Sequence, residues 1–121
     1  AFSGIKRFDD FQRTLDVSCS LLNERLGRLV DARILRREPY KDEVRTRHRY
    51  RLTEKGLDLY PVLMALREWG DKYMADEGAP LRVRHKGCGG EPQINLRCDR
   101  CGEEVGARDA EPLPGPGLRA A

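Results

Sequence analysis

The sequence of 121 residues lacks the apolar features of membrane-spanning and exported proteins. No apolar run approaches the roughly 18 residues that a bilayer-spanning helix needs. No charged segment followed by an apolar stretch and a small-residue cleavage site opens the chain. We therefore expect a soluble, cytoplasmic protein, whose length allows one ordinary domain and a small appendage.

Histidine and cysteine, the residues on which catalysis would have to depend, are few. The chain has two histidines and four cysteines: Cys19, Cys88, Cys98 and Cys101. Beside them we find neither a general base nor a cluster that would form a pocket, so we expect no enzyme. Without a secretion signal, this cysteine spacing favours metal or thiol chemistry over a disulfide framework.

Charge, in contrast, is abundant and unevenly distributed. Between Arg25 and Lys55 the sequence has eleven Lys or Arg against five Asp or Glu. A concentrated basic stretch is typical of a surface that binds phosphates. A solvated surface has the same composition, so the interpretation depends on the structure predicted for this stretch.

Apolar spacing predicts two helices separated by a short turn. Four apolar residues recur at helical intervals over residues 5–15, at Ile5, Phe8, Phe11 and Leu15. Ser18 is a favourable N-cap for a second helix, from Ser18 to about Asp31, because its hydroxyl can accept a hydrogen bond from a first-turn amide. The buried stripe of this helix is predicted to be Leu22, Leu26, Leu29 and Val30. The pair is typical of a helix-turn-helix.

The pattern then changes to two short β-prone runs, residues 34–37 and 48–52. The polar connection over residues 38–47 includes Pro39 and predicts a hairpin wing with a long, mobile tip. Thr53 is predicted to cap a third helix reaching about Tyr73, with a break or kink at Pro61. Its apolar side is Leu57, Tyr60, Leu63, Leu66, Trp69 and Tyr73. For Trp69 and Tyr73 we expect packing in a core or a dimer in preference to ligand binding.

This order of elements predicts a mainly α fold with a small β-hairpin wing, a winged helix-turn-helix that binds double-stranded DNA. The first turns of the second helix would enter the major groove, where Asn suits adenine, Arg suits guanine and Ser suits either. Cations of the wing would contact the backbone or the minor groove, and His48 is also expected at the backbone. The candidate DNA-binding residues are Ser18, Ser20, Asn23, Arg25, Lys41, Arg45, Arg47 and Arg49.

Three side chains of the second helix have alternative interpretations. An intrahelical ion pair with Glu24 or Asp31 competes with DNA contact, equally for Arg28 and less so for Arg25. Cys19 is predicted to be a small buried helix residue, in preference to a redox sensor.

The C-terminal part has two half-sites of matching spacing. His85 and Cys88 are separated by two residues and followed by Gly, as are Cys98 and Cys101. This is the spacing of a zinc knuckle, in which the glycine permits the positive φ of the turn. We predict a zinc-ribbon-like appendage in which all four side chains bind zinc. In the alternative interpretation His85 is an ordinary polar residue, and the three cysteines are free thiols or include a Cys98–Cys101 redox pair.

The sequence also resembles the HxlR-type transcriptional regulators. The resemblance lies in the runs RFDDFQ, LNERLGRL, YRLTEKG, PVL and WG, at residues 7–12, 22–29, 50–56, 61–63 and 69–70. It covers roughly residues 1–75 and implies a homodimeric winged-helix regulator, with the helix after Thr53 in the dimer interface. It also implies a preceding helix and a segment with a sensing cysteine, so we expect the chain to be a fragment. Arg33 stands where the family has Gly, at a cost of about 1 kcal/mol if the backbone is left-handed.

From these patterns we predict three regions: a winged helix with its dimerisation helix over residues 1–77, the appendage over residues 81–108 and a disordered tail over residues 109–121. The predicted function is sequence-specific transcriptional regulation, in preference as a repressor, at a palindromic operator. The alternative is a protein-interaction or redox- or metal-sensing module built on a winged helix. An effector, either a small molecule or an oxidant, stays open at this point.

Overall fold

The structure, a computed structural model, describes residues 1–41 and 46–118 of the chain. The elements, in order, are α1 (Phe8–Leu15), α2 (Cys19–Asp31), β1 (Leu35–Lys41), β2 (Thr46–Leu52), α3 (Glu54–Leu57), α4 (Tyr60–Met74) and a 3-10 turn (Ala107–Asp109). Within the described residues no helix is long and apolar enough to cross a membrane. The chain divides into two compact units, Ala1–Arg67 and Glu68–Ala121. The predicted bounds of the three regions stay predictions.

Helix α1 begins three residues later than the spacing of apolar residues predicts. The Lys6 carbonyl accepts a hydrogen bond from the Tyr50 amide at 2.7 Å, and Arg7 forms an antiparallel bridge with Arg49. The segment before Phe8 is therefore extended along the edge of β2 that does not pair with β1. Ile5 still packs against the core, but from this segment and not from a helix.

Helix α2 begins and ends as its sequence predicts. Ser18 Oγ accepts the Leu21 amide hydrogen bond at 3.2 Å, which confirms the predicted N-cap. At the other end the Ile34 amide donates to the Leu29 carbonyl at 2.9 Å, and the Arg33 amide donates to the Val30 carbonyl at 3.0 Å. This pair of bonds defines a Schellman motif, whose residue after the cap is left-handed. Arg33 has that conformation, with φ of 62°.

The predicted stripe of α2 is wrong at one residue. Leu22 and Leu26 are buried and Val30 is partly buried, but Leu29 is exposed. The buried residues follow one another at intervals of four, which places them on one face of the helix. Leu29 is displaced from this face and lines an exposed groove with Leu15.

The wing is an antiparallel hairpin, in register from Leu35 opposite Leu52 to Lys41 opposite Thr46. Its strands are longer than predicted, so residues 38–41 and 46–47 belong to strands and not to a mobile tip. Pro39 fits in β1 because the described sheet has two strands, which makes β1 an edge strand. Residues 42–45, the rest of the predicted tip, lie outside the described part of the chain.

The predicted third helix is two helices. The Thr53 hydroxyl accepts a hydrogen bond from the Gly56 amide at 3.0 Å, which confirms the predicted cap of α3. The chain turns at residues 58–59, and Pro61 then lies in the first turn of α4. Proline is tolerated there because a first-turn amide has no intrahelical partner to lose. The break that the sequence predicts at Pro61 therefore lies two residues earlier, at residues 58–59.

The core of the first unit lies where α1, α2 and the hairpin meet. Its buried residues are Phe11, Leu22, Leu26, Leu35 and Tyr50. The Phe11 and Tyr50 rings meet edge to face, with 6.3 Å between their centroids. This small core holds α2 against the base of the wing.

Helix α4 contributes no buried residue. Leu66, Trp69 and Tyr73 are 62%, 58% and 61% exposed, and the two aromatic rings lie 5.6 Å apart. Core packing, one of the two predicted uses of Trp69 and Tyr73, is therefore wrong for these two residues. Dimer packing stays a prediction.

Candidate nucleic-acid interface

The first two turns of α2 present polar side chains to solvent. Ser18, Ser20, Asn23 and Arg25 are all exposed, while Leu22 between them points into the core. The Ser18 cap fixes where the helix starts, and burial of Leu22 fixes how it is rotated. Together these two constraints leave the four predicted DNA-binding residues of α2 accessible.

Other side chains of α2 clarify the alternatives left open by the sequence. Arg28 forms an ion pair with Glu24 at 2.9 Å, one helical turn away, as its alternative interpretation predicts. Among the described residues Arg25 forms no such pair. Cys19 is exposed, which makes the prediction of a buried residue wrong, because it lies at the open start of the helix. Its sulfur accepts a hydrogen bond from Gln12 Nε2 at 2.9 Å.

The wing cations differ in how firmly the fold holds them. Arg47 Nη1 lies 2.8 Å from Asp9 Oδ2, which ties β2 to helix α1. The Arg49 guanidinium lies 4.6 Å from the centre of the Tyr40 ring, a cation–π contact. Lys41 is exposed at the end of β1. Arg45, another predicted contact, lies outside the described residues.

Sequence reasoning did not find two residues that position these cations. The Tyr40 ring contacts the guanidinium groups of both Arg49 and Arg7, which lie 4.6 Å and 5.1 Å from the ring centre. Asp9, on α1, is the partner of Arg47 although it lies 38 positions earlier in the chain. The alternation of basic and aromatic residues in the wing could have indicated Tyr40. No local pattern could have indicated Asp9.

A cleft of about 310 Å³ separates α2 from the wing. Asn23 lines one side, and Tyr40, Arg47 and His48 are among the wing residues that line it. The predicted base-reading asparagine and the predicted backbone-contacting residues therefore border one concave, polar surface. Phe8 and Asp9 of α1 line it as well, so the charge of Arg47 is balanced by Asp9 within the cleft.

Glu38 forms the electrostatic link across the two strands of the wing. Its carboxylate oxygens lie 3.1 Å from Arg36 Nε and 2.6 Å from Arg51 Nε. Desolvation acts to raise the pKa of Glu38, but the hydrogen bonds and charges of Arg51 and Arg36 outweigh it and lower the pKa below its ordinary value. Glu38 thus partly neutralises the positive charges of Arg36 and Arg51.

The four predicted metal ligands of the appendage lie in two separate turns. His85 Nδ1 is 3.3 Å from Cys88 Sγ in the first turn. In the second, backbone amides of Cys101 and Arg100, together with the Cys101 thiol, lower the pKa of the Cys98 thiol. Within residues 1–41 and 46–118, no three such side chains are close enough to hold a metal ion. Each turn thus brings two candidate ligands together.

Comparison with known proteins identifies relatives among transcriptional regulators. Residues 1–78 match the family model of the HxlR-like helix-turn-helix. An HTH-type transcriptional regulator of Mycobacterium tuberculosis is 42% identical over 121 residues, which is 99% of this chain and 76% of that protein. One from Bacillus subtilis is 35% identical over 71 residues, 58% of this chain and 55% of that protein.

Solved structures show the same fold. A protein assigned as a transcription factor from Pseudomonas aeruginosa is 32% identical, with a TM-score of 0.74, over 98% of this chain and 81% of that one. A second such structure is 31% identical, with a TM-score of 0.82, over 94% of this chain and 80% of that one. Both likenesses therefore extend past residue 78 into the appendage. On the match of the family model and the identity to these relatives, the chain belongs to the HxlR-like helix-turn-helix family of transcriptional regulators.

Proposed function

We propose that the chain is a cytoplasmic, sequence-specific DNA-binding regulator, in preference a repressor, that acts as a homodimer on a palindromic operator. It has no catalytic activity in this proposal. The observation that supports it most is the polar face at the start of α2, where Ser18, Ser20, Asn23 and Arg25 are exposed beside a basic wing.

The width of the major groove matches an α-helix, and the first turns of such a helix reach the base edges. Asn23 can bond both N6 and N7 of adenine, and Arg25 can bond O6 and N7 of guanine. Because both residues border the buried Leu22 and Leu26, their positions are fixed by the core. This face can therefore discriminate between base pairs.

The wing supplies contacts of another kind. Lys41 is exposed, and Arg49 is held over Tyr40 beside the cleft, so both present positive charge next to α2. Contacts of such cations with phosphates increase affinity for any sequence and depend on salt. We assign base discrimination to α2 and sequence-independent affinity to the wing.

Support for the homodimer comes from α4. Its large apolar side chains, including Leu66 and Trp69, are exposed. Contiguous apolar surface of this kind is typical of an interface. A second copy that covers it would have two-fold symmetry, and so would its operator.

The test is selection of bound duplexes from a randomised library, followed by mobility-shift titration. Asn23→Ala is expected to lose about 1–3 kcal/mol of discrimination at one base pair of each half-site. Lys41→Ala is expected to weaken binding to all duplexes evenly and to reduce the salt slope by about one. Arg108→Ala, which removes one charge outside the winged helix, is the control and should leave both quantities unchanged.

Two outcomes would contradict the proposal. Equal binding to all duplex sequences would contradict the assignment of base discrimination to α2. Absence of duplex binding at low salt would favour the alternative of a protein-interaction module.

A further inference from the structure

The appendage has little apolar material with which to fold. Among the described residues after α4 none is buried, and Leu81 and Leu96 are well exposed. Val83, Ile94 and Val105 are only partly covered. A segment of this size without a core commonly needs a metal ion or another cross-link for stability.

Its backbone nevertheless forms a defined turn around His85. The His85 amide donates to the Gly90 carbonyl at 2.6 Å, and the Gly89 amide donates to the His85 carbonyl at 2.8 Å. Gly89 has φ of 80°, which a residue with a Cβ rarely adopts. The Gly90 amide lies 3.4 Å from Cys88 Sγ and donates to it.

A second turn, around Cys98, repeats the same backbone bonds at the same positions. The Cys98 amide donates to the Glu103 carbonyl at 2.9 Å, and the Gly102 amide donates to the Cys98 carbonyl at 2.9 Å. Gly102 has φ of 75°. The two turns therefore share their backbone geometry, with a candidate ligand at the first and fourth position of each.

Gly87 leaves space for the imidazole ring of His85. A Cβ on Gly87 would lie 3.0 Å from His85 Cε1, so the absence of a side chain there lets the ring fold back over the turn. This position puts Nδ1 beside the Cys88 sulfur, at 3.3 Å. His85 and Cys88 are therefore in contact in the first turn, and Cys98 and Cys101 occupy the matching positions of the second.

We propose that the two turns bind one zinc ion through His85, Cys88, Cys98 and Cys101. Three thiolates and one imidazole in tetrahedral arrangement are a ligand set that zinc prefers. The Gly90 amide that donates to Cys88 Sγ stabilises the negative charge that a zinc-bound thiolate keeps. The nine residues between Cys88 and Cys98 span up to about 30 Å when extended, ample to let the ion draw the turns together.

Metal content of the 121-residue chain tests the proposal, because the Cys and His outside the site, Cys19 and His48, provide matched controls. We expect one zinc ion per chain by elemental analysis, and Cys98→Ala or Cys88→Ala should lose it. Cys19→Ala and His48→Ala should retain it. His85→Cys should retain zinc as well, since four thiolates form an equally good site.

Cobalt titration of the chelator-treated chain gives a second measurement that does not require the appendage to fold beforehand. We expect the visible absorption of tetrahedral, thiolate-bound cobalt in the wild type and in Cys19→Ala, and its loss in Cys98→Ala. Helical circular dichroism checks that the winged helix is intact in each variant.

Three outcomes would overturn the proposal. The first is less than half a zinc ion per chain after reconstitution, and the second is equal metal loss in Cys19→Ala and Cys98→Ala. The third is a Cys98–Cys101 disulfide in protein purified without oxidant, which would assign the second turn to redox chemistry.

Discussion

Gly56 shows, at the scale of one residue, why the short helix α3 has its sequence. A Cβ at this position would lie 2.2 Å from the carbonyl oxygen of Ile34. That oxygen cannot move away cheaply, because it accepts hydrogen bonds from both the amide and the hydroxyl of Thr53. The close approach of α3 to Ile34, in the loop between α2 and β1, therefore requires glycine.

Gly56→Ala is expected to reduce the free energy of unfolding by about 1–3 kcal/mol, the usual cost of overpacking a close contact. Gly27→Ala is the control, since no atom lies within 4 Å of the Cβ it would add in the middle of α2. That control should gain about 0.5–1 kcal/mol, because alanine loses less backbone entropy in a helix. Urea denaturation measures both, and an equal effect of the two substitutions would contradict the packing argument.

At the scale of the element, the hairpin depends on charges that pair across its strands. Glu38 on β1 bonds Arg36 on the same strand and Arg51 on β2. Because these cations lower the pKa of Glu38, the folded state keeps its carboxylate ionised to lower pH than the unfolded chain does. The stabilisation is complete above the ordinary carboxyl pKa and is lost as pH falls through the lowered value.

We expect the wild type to lose stability on acidification from about pH 6 to about pH 3, and Glu38→Gln to lose less over this interval. Urea midpoints measured across the range test this expectation. Glu111→Gln removes an exposed carboxylate outside the wing and should leave the wild-type slope unchanged. Parallel curves for Glu38→Gln and the wild type would show that the pairing contributes nothing.

At the scale of the whole molecule, the apolar side of α4 connects the fold to the proposed assembly. Leu66→Gln should shift the chain from dimer to monomer in sedimentation, because it places an amide in the middle of the proposed interface. Glu77→Gln puts the same side chain at an exposed position after the helix and should leave the dimer intact. A monomeric wild type would contradict the proposed homodimer. It would not contradict the proposal that a single chain binds DNA.

Much of the fold could be predicted from the sequence because its signals are local. Ser18 and Thr53 cap helices through bonds to residues three positions ahead, so spacing alone identifies them. The hairpin follows from two β-prone runs with a polar connection. The family could also be recognised, since its motifs lie within these same elements.

The candidate site was predicted less completely, because neighbours distant in sequence decide which side chains are available. The basic surplus indicated Arg47 as a DNA contact, yet in the fold Asp9 pairs with it. Cys19 was predicted buried from its place in an apolar helix, but that place is the open first turn. Burial depends on what packs against a residue, and helical spacing reports only which residues share a face.

By itself, the sequence determined where α2 and α3 start, where α2 ends, that a basic hairpin follows it, and that two segments with metal-ligand spacing lie near the C-terminus. Each of these depends on bonds within a few residues. Only the tertiary structure decided that Leu29 and the apolar side of α4 stay exposed, that the segment before α1 is extended, and which wing cations are tied to other residues. Those features depend on contacts between segments far apart in the chain, whose energy no local pattern contains.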